Sequence, residues 1–155
     1  LKVNPTAVFA KVEELLKHNK EQSKLIDKLN EESILAYTKS LVENPVFDCE
    51  GTPVFLWNLD NELIQKKQLQ TVLDKVQNFM TEGVAVMAYS DGSASNLLVA
   101  VGKNSLKQFH AGKIVKELAG FFEGRGGGRP DKAQAGIKIK PDLEVLREKV
   151  ESVLK

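Results

Sequence analysis

The residues from Gly124 to Gly128 constrain this chain more than any other stretch. Four of those five positions are glycine, and glycine loses more backbone freedom on folding than any other residue. A folded domain keeps such a run where side chains would be in the way, so a backbone that something approaches closely is expected here. Arg125 and Arg129 bracket the run with planar, permanently charged forks that suit phosphate or carboxylate. Successive glycine N–H groups in a loop can converge on one anion. The stretch therefore reads as an anion-binding loop in which Gly126, Gly127 and Gly128 supply amides and the two arginines supply charge. The plain alternative is a surface loop between two helices with its arginines solvated.

Neither nucleotide motif applies. No strand is predicted to feed the run, as the dinucleotide fingerprint requires, and the Gly-Lys-Ser/Thr ending of a P-loop is missing. From Glu123 to Lys140 five cations (Arg125, Arg129, Lys132, Lys138 and Lys140) face two acids, Glu123 and Asp131, while the whole chain carries only +1. The basicity is local, which excludes a protein that coats nucleic acid through a general positive field.

The longer stretch from Gly124 to Gly136, preceded by a helical segment from His110 to Leu118, resembles the signature of the DHHA1 domain in the version found at the C-terminus of alanyl-tRNA synthetases. The likeness extends more loosely from Pro45 to Lys155 and departs from the pattern at Ile137, where the family often has a second glycine. What the resemblance implies is an α/β fold: a long N-terminal helical extension followed by a DHHA1-like globular domain with a small mixed sheet covered by helices. It also implies a non-catalytic tRNA-binding domain of an alanine–tRNA ligase, helping to hold tRNA for aminoacylation and editing and aiding oligomerisation. Arg125, Arg129 and the glycines would grip phosphates, Lys113 and Lys132 would extend the grip, and Gln134 completes the RNA-facing set. The implied partners are alanine-specific tRNA, the remainder of the synthetase chain and a homodimer mate met through the long helix or the globular domain. ATP and zinc belong to the parent enzyme and not to this part of it. Two alternatives stay open: the substrate-binding half of a DHH-type phosphoesterase or separate tRNA-editing protein, and a purely structural dimerisation module.

Read in order, the chain divides at about residue 44. From Pro5 to Val42 no internal proline or glycine interrupts a run dense in Lys, Glu, Leu and Asn, which predicts one helix. At about 1.5 Å per residue, roughly 38 residues reach close to 57 Å, longer than a compact domain needs. Its apolar seam, Val8, Val12, Leu15, Ile26, Leu29 and Ala36, is interrupted by Asn19 and Gln22. A spacer or dimerising coiled coil and a solvated edge helix are equally compatible with that stripe. Pro45 pushes Asn44 out of helical geometry, so residues 1–44 form the connector and 45–155 the globular domain.

Val46 to Cys49 and Val54 to Trp57 read as a hairpin, with Trp57 and the phenylalanines in the core. Asp60 or Asn61 is a candidate cap for a helix carrying Leu69, Val72, Leu73, Val76, Phe79 and Met80. The unbroken apolar run Val84 to Tyr89 suits a strand buried on both faces. Asp91-Gly92 turns it back into Leu97 to Val101. A helix from His110 to Phe122 precedes the glycines, and Pro141-Asp142 opens a last one. A length of 155 residues, 42% hydrophobic and 28% charged, buries one core.

Catalytic chemistry is not visible. His18, His110 and Cys49 make a poor inventory for zinc. His18 reads as solvated and His110 as a helix-start residue. Ser90 to Ser93 reads as a turn without a histidine to activate it. The class II and editing motifs of the synthetases and the Asp-His-His motif of the phosphoesterases do not occur, so this chain alone is expected not to be an enzyme. A lone cysteine, no apolar run long enough for a bilayer and no leader-like N-terminus point to the cytoplasm and away from membranes. Opening on Leu1 suggests a piece of a longer chain.

Overall fold

The computed structural model describes residues 4–59 and 62–155. They fall into two compact units, one ending at Leu35 and the other running Ala36–Lys155. Helix α1 spans Pro5–Leu41. Proline is tolerated at its first position because the missing N–H would have no helical partner there, and Asn4 Oδ1 accepts from the Thr6 amide at 3.1 Å, a cap for the same orphaned turn. Within the first unit the seam residues Val8, Val12, Leu15, Ile26 and Leu29 are all exposed.

The second unit is built on one six-stranded mixed sheet in the order β1-β2-β3-β4-β6-β5. The strands are β1 Phe47–Cys49, β2 Thr52–Asn58, β3 Val84–Ser90, β4 Ser95–Val101, β5 Arg125–Gly128 and β6 Lys132–Ile137. The helices are α2 Leu69–Phe79, α3 Ala111–Phe121 and α4 Leu143–Leu154. Among the described residues only β2 and β3 run parallel, and a parallel pair needs a long crossover, which here contains α2. β1 returns into β2 through Glu50 (φ 53°) and Gly51 (φ 83°), the left-handed pair that a two-residue hairpin turn demands.

Strand alternation sorts side chains onto two faces. On one, Leu97, Val99 and Val101 of β4 and Ala133, Ala135 and Ile137 of β6 share a core with Leu118 of α3 and Leu146 of α4. On the other, α2 lays its buried Leu69, Val72, Leu73 and Val76 over the sheet, where Met87, Tyr89 and Leu98 are buried. β3 is buried from Val84 to Tyr89, as its continuous apolar run predicts. α2 begins later than expected, after a short 3-10 turn at Lys66–Gln68. Asp60 and Asn61, the predicted caps, lie outside the described residues.

The glycine run corrects the sequence reading. It is not an irregular loop but strand β5, hydrogen-bonded antiparallel to β6 and forming the rim of the sheet. Glycine's poor strand propensity is overridden by proximity. A Cβ on Gly128 would lie 2.6 Å from Ala133 Cα, and one on Gly126 would overlap Ala135 Cα and Cβ. Gly112 of α3 belongs to the same contact, since a Cβ there would sit 2.5 Å from the Gly128 carbonyl oxygen. These glycines let β5, β6 and α3 close on one another.

Candidate nucleic-acid interface

The hairpin of β5 and β6 is fixed at its tip by α3. The Ala111 amide donates to Pro130 O at 2.9 Å and the Gly112 amide to Arg129 O at 3.2 Å. His110 Nδ1 accepts from the Lys113 amide at 3.2 Å, so His110 is the helix cap. The first-turn amides that would otherwise bind an anion hold the hairpin turn instead. Arg129 N donates to Lys132 O at 3.0 Å, which makes those two a hydrogen-bonded pair. The alternation of an antiparallel ladder then gives the same status to Gly127 with Gln134 and to Arg125 with Gly136. The main-chain groups of Gly126 and Gly128 face the rim. Successive glycine amides therefore point in opposite directions, and the converging cradle expected of a loop is not formed.

The same alternation places Arg125, Gly127 and Arg129 on one face with Lys132, Gln134 and Gly136, the face that α2 covers over the middle strands. Beyond α2 that face is open: Arg125, Gly127, Arg129, Gln134 and Gly136 are all exposed. Arg129 keeps 67% of its side chain exposed while its Nε lies 3.4 Å from Asp131 Oδ1. None of the described ion pairs involves Arg125.

Lys132 differs from the arginines. Its Nζ is tied to Asp74 Oδ1 of α2, with 20% of the side chain exposed, and Gln70 Nε2 donates to the same carboxylate oxygen at 3.0 Å. This lysine joins helix to hairpin. Lys113 is exposed but lines a separate groove of about 390 Å³ with His110, Lys107, Glu117 and Leu154, so the structure does not bring it together with the arginines. Of the sequence-predicted set, Arg125, Gly127, Arg129 and Gln134 share the open face; Gly126 and Gly128 turn toward α3.

Two residues missed in the sequence belong to this neighbourhood. Gly136 lies on the open face, and period-two alternation of Ala133, Ala135 and Ile137 against Lys132, Gln134 and Gly136 was the available signal. Asp74 was invisible, because 58 residues separate it from Lys132.

Elsewhere the chemistry is structural. Burial and then the Glu50 carboxylate push the Cys49 thiol up, away from a thiolate nucleophile. Asp91 Oδ1 accepts from Ser93 Oγ at 2.8 Å and from the Ala94 amide at 2.7 Å, a self-contained turn. Among the described residues no group of His, Cys, Asp and Glu is placed to hold a metal ion, and no helix is long and apolar enough to cross a membrane.

Residues 54–155 match the DHHA1 domain family. Over 154 residues, 99% of its length, the chain is 30% identical to the alanine–tRNA ligase of Lawsonia intracellularis, of which it covers 17%. It thus spans less than a fifth of the length of the curated relatives it matches. The C-Ala domain from Aquifex aeolicus alanyl-tRNA synthetase is similar at a TM-score of 0.49 and 23% identity, over 63% of this chain and 88% of that one. A DHH-domain structure described as a member of a family of ribosomal proteins shares the fold at a TM-score of 0.50 and 16% identity, over 87% of this chain and 31% of that one.

Proposed function

Because this chain belongs to the DHHA1 domain family, we propose that it is a non-catalytic tRNA-docking domain, the C-terminal part of an alanine–tRNA ligase. In this reading it holds tRNA in the cytoplasm while other parts of the enzyme bind ATP and zinc and carry out the chemistry. Homology to alanine–tRNA ligases along the whole chain supports the parentage, and α1 then serves as the connector to the rest of the enzyme.

One observation carries the docking role: two exposed guanidinium groups on one strand face, with a glycine between them. Arg125 and Arg129 stand four residue steps apart, about 13 Å at roughly 3.3 Å per residue, and Gly127 leaves the space between without a side chain. A flexible polyanion can be held at two points by such a pair, each fork taking phosphate oxygens. Phosphate contacts of this kind position a nucleic acid without reading its sequence.

The test is a salt titration of the 155-residue chain against an alanine-accepting tRNA. Affinity is expected to fall steeply with salt. Arg125→Ala and Arg129→Ala are each expected to weaken binding and to flatten the log–log salt slope by about one. Variants that bind as the unaltered chain does at every salt concentration would overturn the reading.

A further inference from the structure

The glycines of the hairpin are glycine for different reasons. Gly126 and Gly128 are required by Ala135 and Ala133, and Gly124 by the Gly136 carbonyl oxygen and Ile137. Gly127 and Gly136 are not required by anything in the fold. A Cβ at either would meet nothing within 4 Å, and neither is among the positive-φ glycines, Gly51, Gly83 and Gly92. Each lies inside a strand, where glycine weakens the strand and commonly marks a place that a ligand approaches closely.

Both occupy the open face. Gly127 pairs with Gln134 and Gly136 with Arg125, so the two glycines are diagonal neighbours, roughly 7–8 Å apart. Gln134 and Arg125 stand at the other two corners. Gly127 and Gln134 help to line a groove of about 290 Å³ walled on the far side by Gln70 and Leu73 of α2. Gly136 and Arg125 open into a second groove, of about 590 Å³. The first volume falls just below the roughly 300–1,000 Å³ typical of ligand pockets.

We propose that Gly127 and Gly136 form a side-chain-free floor for the flat face of one unpaired RNA base, with Gln134 at its edge and the arginines on the adjoining phosphates. This rests on the tRNA-docking reading above and adds to it the part of the RNA that is recognised. Sequence-specific RNA recognition targets unstacked bases, laid on aromatic rings or on guanidinium planes. Among the described residues the α2 side of β5 and β6 carries no aromatic side chain, and its flat surfaces are bare peptide planes beside Arg125. The Gln134 amide offers donors and an acceptor together, which the exposed edge of a base can meet.

Filling the floor separates this from phosphate binding alone. The probes are an RNA hairpin with an unpaired loop and a fully paired blunt RNA duplex of equal length, each titrated with the 155-residue chain. The unaltered chain is expected to prefer the looped RNA, by less than the roughly tenfold or more that stacking one base on an aromatic ring gives. Gly127→Val and Gly136→Val are expected to remove that preference, with the thermal midpoint unchanged or raised, since a Cβ at either position meets nothing within 4 Å. Equal affinity of the unaltered chain for the two RNAs, or an undiminished loop preference in the valine variants, would overturn the proposal. If a valine variant melts early, Gly127→Ala and Gly136→Ala are judged by the same criteria, since their methyl groups enter open space. Arg125→Ala and Arg129→Ala keep the two readings apart: binding insensitive to them removes the docking role itself, whereas sensitivity to the arginines without sensitivity to the glycines removes only the floor.

Discussion

On the α3 side of the β5–β6 hairpin, Gly126 and Gly128 press against Ala135 and Ala133, and Gly112 of α3 closes on the Gly128 carbonyl. On the α2 side of the same two strands, Gly127 and Gly136 face open space beside exposed arginines. One residue type thus serves opposite ends on two faces set apart by strand alternation. On the packed face the missing side chain lets backbone meet backbone. On the open face it leaves room for something that is not part of the chain. Glycine content alone does not distinguish these uses; the register does.

The strongest way to break that contrast is to add side chains to the packed face. Gly126→Val drives branched carbon into the backbone of Ala135, and overpacking of this kind is expected to cost about 3 kcal/mol. Urea unfolding followed by circular dichroism would read this as a lower midpoint at unchanged slope. A loss below about 1 kcal/mol would mean that β5 stands further from β6 than the structure places it, and the two faces would no longer differ in kind.

A smaller effect sharpens the boundary between the faces. Asp74→Asn removes the carboxylate that holds Lys132, a pair between a mostly buried lysine and a half-exposed acid. The expected stability loss is about 1 kcal/mol, near the upper end for partly solvated pairs. RNA affinity is expected to rise, and the salt slope to steepen by up to about one, as the freed ammonium joins the arginines. Unchanged affinity and slope would show that Lys132 takes no part in binding on the open face.

The smallest effect compares this hairpin with another tight turn of the sheet. Between β3 and β4 the Asp91 carboxylate is held at about 2 by the Ala94 amide, then the Ser93 hydroxyl and the Ser93 amide, against an ordinary 3.8. A depressed folded value means that this contribution to stability is present above pH 3.8 and disappears as pH falls toward 2. A carboxylate-detected NMR titration should place the Asp91 midpoint near 2; a midpoint at 3.8 would show the turn unformed. Anionic Asp91 meets its needs within its own turn, while Arg125 has no carboxylate beside it among the described ion pairs.

Several elements of the fold were legible because their signals are local. Uninterrupted helix formers set α1, continuous apolar residues set β3, and Asp91-Gly92 set the return into β4. The motif from Gly124 to Gly136 was legible as a family signature, which the match over residues 54–155 bears out. Its geometry was not. A strand rich in glycine carries neither β-branched residues nor side-chain periodicity, so only β6, with small apolar residues at every second position, held a trace of the pairing. The partition of cations was equally hidden: whether a lysine meets solvent or an aspartate 58 positions away is decided by how α2 lies across the sheet.

β5 is secured by a neighbouring strand on one side only, while β3 is clasped on both. A margin of this kind breathes at lower free energy than the interior, so β5 can loosen and re-form while β2, β3, β4 and β6 stay shut. Adjustment is then confined to the border of the molecule, without disturbing the centre that keeps it folded.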